Sequence, residues 1–594
     1  MLLQAFEWHT PSHPPAPHET RSPTSHYARI TRLIPSFTEL GVTALWLPPG
    51  CKGNYANGNG YDCYDLWDLG EFEQKWGRST KWGSREELQD LIESAKECGI
   101  ELVWDAVLNH KTAGDSLDEC WAVEVDRGDR RYEICPPRKI QAWLRFDFPG
   151  RQREGMRYSN FKWRAEHFNG TDWDQKTERS AIYKLIDDPA TQPLPQVGRR
   201  QRLSLNGLLA NGFGSTRLAK GVKSLSKLLD RSDRLSSNSS ARGRLIKRQG
   251  KEWAEDVNGD HGNNDYLMFA NVDYRHLEVQ QDVLKWGEWM VNNVQIDGFR
   301  LDAAQHFSSA FTKTLIQRVQ QARINRDGQD AFVVGEVWTT DVLRLLDWLD
   351  AVQPEDGPEV HAYDSTLVYN FSRISQDVSH SSLNSDLRTI TRQTLLDARP
   401  QAAITLVTNH DTQAGQASYT PILPSLKALF YAFILLRTQG HPCVFWGDLF
   451  GTQGPKGESP ACLVNDQSDE REQRSLLPDL MLCRKLYAHG KQHDYWSSAS
   501  CIGWTRAGTQ QRPGCAVIMN IEHPQPSPAS LTMAVGQPGQ IWTDVLGTTC
   551  EEVLISDSGE GVFSRQGPGV SVFVDRDAPG RSDFPVAFDS SVGS

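Results

Sequence analysis

The chain lacks any apolar stretch of the length that a membrane-spanning helix needs. It also lacks the basic start and the long apolar run of a secretory signal, because it opens MLLQAFEW, which has the pattern of a strand. These absences argue against a membrane protein and against export. We therefore expect a cytoplasmic location and no membrane partner.

Cysteine pairs of the kinds that bind metals or build disulfide frameworks are also missing. The 11 cysteines are odd in number and scattered, with no C-x-x-C pair. This predicts free thiols in a reducing compartment. The glycine-rich segment GCKGNYANGNGYD lacks the arrangement of a phosphate-binding loop, and the chain has no G-x-S-x-G elbow of a serine hydrolase.

Positive charge is concentrated in one segment of an otherwise acidic chain. The formal net charge is −12, but residues 199–251 hold fourteen Lys and Arg against two Asp, a local +12 that leaves −24 elsewhere. The segment is also rich in Ser, Asn and Gly, so we expect an inserted and mostly disordered loop near residues 195–251. Binding to nucleic acid or to an anionic surface is the alternative. Because basic runs without a fold context are usually solvated, we expect no nucleic-acid partner.

Strand-like and helical patterns alternate along most of the 594 residues. Eight alternations, interrupted by a long polar region after the third strand, predict an α/β fold, a (β/α)8 TIM barrel with an excursion domain. Short β-rich runs between turn residues predict a C-terminal antiparallel β domain. The expected boundaries are 1–110 and 272–497 for the barrel, 111–271 for the excursion, 498–577 for the β domain and 578–594 for a loose tail. A doubly wound sheet is the weaker alternative.

Three of the predicted strands end in an acid. The runs IDGFRLD, FVVGE and ITLVTNHD end at Asp302, Glu336 and Asp411. Because the carboxyl ends of parallel barrel strands meet at one rim, we expect these side chains to lie together. A single acid at a strand end most often caps the next helix, but three acids together with Arg300, His110 and His410 favour a catalytic site.

Two carboxylates across a cleft can divide the work of glycosyl transfer. Arg300 lies two residues before Asp302, so the two side chains share one side of the strand, and the guanidinium can keep Asp302 ionised as a nucleophile. Glu336 follows an apolar strand, a setting that suits a general acid. The residues alone therefore indicate an enzyme that acts on glycosidic bonds.

Four segments resemble the signature regions of the α-amylase family of glycoside hydrolases: DAVLNHK (Asp105–Lys111), GFRLDAAQH (Gly298–His306), GEVW around Glu336, and TNHD (Thr408–Asp411). Further segments, GYDCYDLWDLGEF, NDYLMFANVDY and GWTRAG, resemble the subgroup of bacterial liquefying α-amylases and their intracellular fungal relatives. The similarity covers nearly the whole chain apart from the basic insert and the tail.

The resemblance implies a role for each residue of the site. Asp302 would be the nucleophile, Glu336 the general acid/base and Asp411 the transition-state stabiliser of a retaining double displacement. The other predicted contacts to the glucan come from Arg300, His110, His410, Tyr61, Gln305 and His306. Gln305 stands where relatives typically carry Lys, which leaves open a shift between water and sugar as the acceptor.

The family also carries a structural calcium ion. The matching ligands are Asn109, Asp265, Asn271 and the backbone carbonyl of His306, and oxygen ligands suit calcium. Asn271 stands where relatives carry Asp, and Ala254 stands where a further metal-binding Asp is expected. We therefore expect a weakened calcium site and no second metal. In the alternative, Asn109 and Asp265 only pin the loop by hydrogen bonds.

The function favoured by these observations is endo-hydrolysis of α-1,4-glucosidic bonds in starch- or glycogen-type glucans and maltooligosaccharides. We expect a monomer whose partner is the α-glucan itself. A 4-α-glucanotransferase on the same site is the first alternative, and an inactive glucan-binding barrel is the second. The presence of all three acids, Arg300 and both histidines argues against the inactive barrel.

Overall fold

The computed structural model describes residues 1–11, 25–192, 196–197, 243–380, 385–465, 473–522 and 528–593. The chain divides into two compact units. The barrel unit comprises Met1–Thr112, Phe148–Phe161 and Leu277–Ser594, and the excursion unit comprises Ala113–Asp147 and Lys162–His276. Residues 198–242 of the predicted basic insert lie outside the described residues.

The barrel unit is built on a closed barrel of eight parallel strands. In chain order these are β1 (Leu2–Gln4), β2 (Ala44–Leu47), β3 (Glu101–Ala106), β4 (Gly298–Leu301), β5 (Phe332–Gly335), β6 (His361–Tyr363), β7 (Ala403–Leu406) and β8 (His441–Phe445). Each strand pairs with the next one, and β8 closes the ring on β1. Nearly all of their residues are buried, as in parallel sheets covered on both faces. This confirms the predicted (β/α)8 barrel.

Helices alternate with these strands. The longer ones in this unit are His26–Glu39, Arg85–Glu97, Leu277–Trp289, Ser309–Asp327, Val342–Val352, Ser365–Ser379, Pro424–Leu436 and Leu477–Leu486. Short helices are Pro149–Arg153, Leu395–Ala398 and Trp446–Phe450. The helix after β2 shows how local sequence sets a boundary, because Ser84 and Glu87 form a reciprocal capping box at its start. Its apolar residues recur at helical spacing and are buried.

A C-terminal antiparallel β domain follows the barrel, as predicted. One sheet contains Gln492–Tyr495, Cys501–Arg506, Cys515–Asn520, Ile541–Asp544, Glu552–Leu554 and Gly569–Asp575, and a second pairs Ala529–Ala534 with Glu560–Arg565. Buried apolar side chains from both sheets form its core, among them Ile518, Met533, Trp542, Phe563 and Phe573. The alternating burial of the second pair is typical of strands with one solvated face.

The segment predicted as a loose tail, residues 578–594, packs on the barrel unit over much of its described part. The Phe584 ring lies 5.9 Å from the Tyr487 ring, and the Phe588 ring lies 5.4 Å from the Phe450 ring. Ala578 and Phe584 are both buried. The expectation of a loose tail is therefore wrong for this part, because two phenylalanines in an otherwise polar segment anchor it.

The excursion unit contains an antiparallel sheet with strands in the order Ala270–Val272, Phe168–Asp174, Arg179–Ile186, Ser116–Glu124 and Arg138–Arg145. A smaller sheet joins Gln196–Val197, Arg244–Lys247 and Tyr132–Glu133.

The C-terminal end of the basic insert belongs to this smaller sheet. Residues 244–247 form one of its strands, and Arg248 donates to both carboxylate oxygens of Glu133 at 2.8 and 2.6 Å. The buried ammonium of Lys184 lies 3.1 Å from the same carboxylate. The predicted disorder is thus wrong for residues 243–251, which ion pairs and strand pairing hold in place.

All 11 cysteines are free, as predicted. Among the described residues, no helix combines the length and the apolar character needed to cross a membrane.

Candidate active site

The structure brings the predicted acids together around one arginine. Arg300 lies in β4 and is almost fully buried, while Asp302 and Glu336 directly follow β4 and β5. Arg300 Nη1 donates to Asp302 Oδ1 at 2.6 Å, and Nη2 lies 2.8 Å from Glu336 Oε2. The backbone N–H of Ala303 also donates to Glu336 Oε2, at 2.9 Å. Both carboxylates are therefore fixed by charge-assisted contacts at the carboxyl end of the barrel.

A third carboxylate, Asp105, shares the same guanidinium. Asp105 in β3 is the direct strand partner of Arg300, and Arg300 Nη1 donates to Asp105 Oδ1 at 2.7 Å. The other oxygen accepts from Trp46 Nε1 at 3.0 Å and from the Tyr61 hydroxyl at 2.9 Å. Sequence reasoning quoted Asp105 within a motif but gave it no role. The available signal was an acid inside an apolar strand.

Burial raises the pKa values of several carboxylates in the cluster, and the one cation among them, Arg300, opposes that rise. Burial raises the pKa of Asp302 well above its usual value, and the charge of Glu336 adds to the shift while Arg300 opposes it. Removal from water, and then the charge of Glu336, raise the pKa of the partly buried Asp411 to about 7. Burial also raises the pKa of Asp105. Asp411 therefore changes protonation near neutral pH.

Three rings with nearly parallel planes lie beside the acids. The Trp8 and Tyr61 centroids are 5.9 Å apart with an interplanar angle of 3°, and those of Tyr61 and His410 are 5.2 Å apart at 5°. Gly60 places Tyr61 here, since its φ is +97° and a Cβ at this position would collide with the Pro49 carbonyl oxygen. The structure thus puts the predicted Tyr61 and His410 side by side and adds Trp8, which sequence reasoning missed.

His410 is neutral, and its proton position is set by a residue of β1. Gln4 Nε2 lies 2.9 Å from His410 Nδ1, so Nδ1 accepts and Nε2 carries the proton. His410 Nε2 lies 2.7 Å from the Tyr61 hydroxyl and 3.3 Å from Asp411 Oδ2. Burial and the charge of Arg300 lower the pKa of His410 well below its usual value. Gln4 was also missed, although a glutamine within the apolar run LLQAF was a usable signal.

The remaining predicted glucan contacts lie in the same unit. His110 Nε2 lies 2.8 Å from the backbone carbonyl of Tyr61, so this histidine anchors the loop that carries the ring. Gln305 Nε2 lies 3.2 Å from His306 Nε2, and Gln305 Oε1 has no hydrogen-bond partner among the described residues. The contacts of His110, Gln305 and His306 with a glucan stay predictions.

The predicted calcium ligands divide between the two units. In the excursion unit the buried Asp265 accepts from Asn169 Nδ2 at 2.6 Å and from the Ala254 N–H at 2.9 Å. Asn271 Nδ2 donates to Asn169 Oδ1 at 2.8 Å, while Asn271 Oδ1 has no partner among the residues described.

Asn109 and His306 belong to the barrel unit, and both are buried. Asn109 Oδ1 likewise has no hydrogen-bond partner in the described part of the chain. Within the excursion unit, the unpartnered oxygen of Asn271 and the buried carboxylate of Asp265 are ligands of the kind that a hard cation takes. The donor set therefore agrees in kind with calcium.

Comparisons with known proteins agree with this geometry. The family described as "Alpha amylase, catalytic domain" matches residues 27–193 and 246–508, so the break in the match falls on the basic insert. The chain is 32% identical over 576 residues to "Alpha-amylase" of Bacillus licheniformis, covering 97% of this chain and 93% of that protein. It is 29% identical over 578 residues to "Cytoplasmic alpha-amylase" of Escherichia coli (strain K12), covering 96% and 98%.

A solved structure shows the same fold. A crystal structure of an Anoxybacillus α-amylase matches with a TM-score of 0.51 and 14% sequence identity, covering 93% of this chain and 90% of that chain. At this identity the match supports the architecture alone. The family match covers most of the chain, and the two relatives align with nearly all of it. The chain is a glycoside hydrolase that belongs to the α-amylase family.

Proposed function

We propose that this enzyme hydrolyses internal α-1,4-glucosidic bonds of starch- or glycogen-type glucans and retains the anomeric configuration. The observation that carries the proposal is the sharing of one guanidinium by Asp302 and Glu336. Two nitrogens of a planar group hold the carboxylates side by side. This arrangement favours the spacing of about 5–5.5 Å of retaining enzymes over the roughly 6.5–9.5 Å that admits a water in inverting ones.

In the first half of the reaction, Asp302 attacks and Glu336 acts as the acid. The Asp302 carboxylate forms a bond to the anomeric carbon while Glu336 transfers its proton to the glycosidic oxygen, and the bond between that oxygen and the carbon breaks. The shortened glucan leaves, and a β-linked glycosyl ester remains on Asp302. Arg300 orients Asp302 for this attack, and its charge opposes the rise that burial causes in the pKa of Asp302.

In the second half, Glu336 is the base. Its carboxylate takes a proton from water, the hydroxide attacks the anomeric carbon, and the ester bond to Asp302 breaks. The product carries an α-hydroxyl, and both carboxyl groups return to their initial states. Asp411, with His410 beside it, would bind hydroxyls of the distorted ring, and Tyr61 would stack under that sugar.

The assignment is tested by removing each acid without changing its size. Asp302→Asn and Glu336→Gln should each lower kcat on maltooligosaccharides by at least about 1000-fold while circular dichroism shows an intact fold. Glu355→Gln, at an exposed position, is the matched control and should keep full activity. NMR of the first products should show the α-anomer. A β-anomer, or near-normal turnover by either active-site variant, would refute the mechanism.

A glucanotransferase is the second candidate function, favoured by Gln305. This neutral amide lies near the strand end that delivers Asp302, and its Oε1 is buried without a hydrogen-bond partner among the described residues. A rotation of the side chain would turn this oxygen toward a sugar hydroxyl. An acceptor sugar held there would compete with water for the glycosyl ester. Mass spectrometry on a single maltooligosaccharide decides the matter, since products longer than the substrate indicate transfer and shorter products alone indicate hydrolysis.

We also propose a calcium ion held by Asp265 and Asn271 in the excursion unit. The buried carboxylate and the unpartnered amide oxygen support it. When bound, the ion supplies charge that compensates the buried carboxylate. A chelator should lower the melting temperature, and calcium but not magnesium should restore it. Asn271→Asp should increase calcium affinity measured by calorimetry, and no calcium response in either protein would contradict the site.

We further propose a monomeric cytoplasmic enzyme that acts without nucleic acid. The printed name of the Escherichia coli relative and the eleven free thiols support the location. The Bacillus licheniformis relative supports the subgroup of bacterial liquefying enzymes, and the likeness to fungal relatives stays a prediction. Light scattering coupled to gel filtration tests the monomer, and cell fractionation tests the location.

A further inference from the structure

A tryptophan projects from the tip of a tight turn in the loop after β2. Gln74 and Gly77 exchange two backbone hydrogen bonds, at 3.2 and 3.4 Å, and the two residues between them form the turn. Lys75 and Trp76 both have left-handed backbone, with φ of 50° and 70°. The Lys75 ammonium lies 4.1 Å from the Tyr64 ring centroid, whereas the Trp76 side chain is 90% exposed.

This is an unusual place for an indole. Two-residue turns with left-handed backbone favour Asn-Gly, and larger residues there are strained. The Trp76 ring has no ring or hydrogen-bond contact with any other described residue, so packing within the chain does not account for it. Strain at an exposed apolar side chain points to an interaction with something outside the chain.

Buried contacts hold the turn rigidly. Gln74 Nε2 donates to Asp65 Oδ2 at 2.9 Å, and the ammonium of Lys52 donates to the Gly77 carbonyl at 3.0 Å. Both Gln74 and Lys52 are buried. The Trp76 ring is therefore presented on a fixed support, which reduces the entropy lost when a ligand binds.

A second exposed ring lies in the same loop. Tyr55 is 54% exposed, and a Cβ on Gly77 would lie 3.4 Å from the Cβ of Ala56, so the two segments run side by side. The loop also carries Tyr61 of the three-ring group in the candidate active site. Trp76 and Tyr55 are thus on the same βα loop as a predicted substrate contact.

We propose that Trp76 and Tyr55 form an outer binding site for an α-1,4-glucan chain, separate from the catalytic cleft. The inference rests on the proposed function. The C–H bonds on one face of a glucose ring pack well on an aromatic face, whose π-electrons attract their slightly positive hydrogens. An exposed tryptophan can also anchor a protein partner, but the shared loop with Tyr61 favours the polymer that the cleft cleaves. The site holds long chains while the acids act on them.

The experiment compares a long and a short substrate. Trp76→Gly removes the ring and suits the left-handed backbone, so it should fold at least as well as the wild type. It should raise KM for amylose about 3- to 10-fold, the size of one aromatic stacking contact, and leave kcat/KM for a chromogenic maltotrioside unchanged. Trp76→Tyr should restore most of the amylose affinity. Leu554→Ala, which removes another exposed apolar side chain on the C-terminal sheet, is the control.

Binding without turnover separates this inference from the proposed function. In the Glu336→Gln background, retardation in an amylose-containing gel should fall with Trp76→Gly and be unaffected by Leu554→Ala. Equal retardation by Trp76→Gly and its parent would overturn the outer site, as would an equal loss on the short substrate. A wild type that cleaves neither substrate would instead overturn the proposed function. Retardation in the amylose-containing gel would then be the test of the outer site.

Discussion

Replacing Arg300 with methionine tests the electrostatics of the site most directly. The Arg300→Met variant keeps an apolar stem but leaves Asp105, Asp302 and Glu336 without their shared cation, which now contacts them at 2.6–2.8 Å. Opposite unit charges about 4 Å apart interact by about 4 kcal/mol at an effective dielectric constant of about 20. At about 1.36 kcal/mol per pKa unit, loss of one such interaction corresponds to about 3 units.

The expected direction of the pH shift follows from the requirement that Asp302 be ionised when it attacks. Burial already raises the pKa of Asp302, and loss of the cation raises it further, so less of the carboxylate is ionised at a given pH. The acidic limb of the profile of kcat/KM against pH should therefore move to higher pH by about 1–3 units. At neutral pH, kcat/KM should fall by roughly 10- to 1000-fold. The assay is the pH profile on a chromogenic maltooligosaccharide.

Two companion variants make this reasoning refutable. Arg300→Lys keeps a positive charge, although on a single nitrogen, and should therefore shift the acidic limb less than Arg300→Met. Asp105→Asn removes a competing anion, so Arg300 acts more strongly on Asp302 and the limb should move to lower pH. Circular dichroism checks that each variant folds. An unchanged acidic limb in Arg300→Met, or shifts of the same sign in Arg300→Met and Asp105→Asn, would refute the electrostatic role.

The other predictions concern the tautomer and the stability of the fold. Gln4→Leu should remove the contact that keeps the proton on His410 Nε2, lowering kcat/KM about 10-fold and changing the 15N shifts of that ring, whereas a packing defect alone would leave the shifts unchanged. Burial lowers the pKa of His26 to about 3, so the unfolded chain binds a proton below about pH 6.5 that the folded chain does not. The free energy of unfolding should therefore fall by about 1.4 kcal/mol for each unit that the pH is lowered between those values. Urea unfolding of His26→Gln should show a smaller dependence of this free energy on pH. Arg151→Met should cost about 3–5 kcal/mol by leaving the buried Asp65 without its partner at 2.7 Å, and thermal unfolding should show partial recovery in the double variant with Asp65→Asn.

Sequence patterns were sufficient to predict the barrel and the positions of Asp302 and Glu336 at its strand ends, because both depend on local features. A strand buried on both faces must be a short apolar run, and an acid that ends such a run is visible as a break in it. Asp302 and Glu336 could be predicted for this reason. The C-terminal β domain was recognisable from its short runs and turn residues, which also act locally.

The parts that sequence reasoning missed depend on pairing across the barrel. Asp105 contacts Arg300 because β3 and β4 pair with these two residues opposite each other. Gln4 contacts His410 because the first strand, β1, pairs with the last strand, β8, and so closes the barrel. No local pattern encodes either pairing. The tail was misjudged for a related reason, since its polar composition suggested a loose end while the ring contacts of Phe584 and Phe588 anchor it.

The charge balance of the site matches the reaction proposed for it. The structure places Asp105, Asp302 and Glu336 against one cation, and His410, which is neutral, adds no positive charge. Because the transition state of glycosidic cleavage resembles an oxocarbenium ion, excess negative charge in a buried site stabilises it more than it stabilises the neutral substrate. Burial is the main cause of the raised pKa values of Asp302 and Asp411, and the negative charge of Glu336 adds to both. Sharing Arg300 among three carboxylates thus favours the ionised form of the nucleophile without cancelling the negative field on which the chemistry depends.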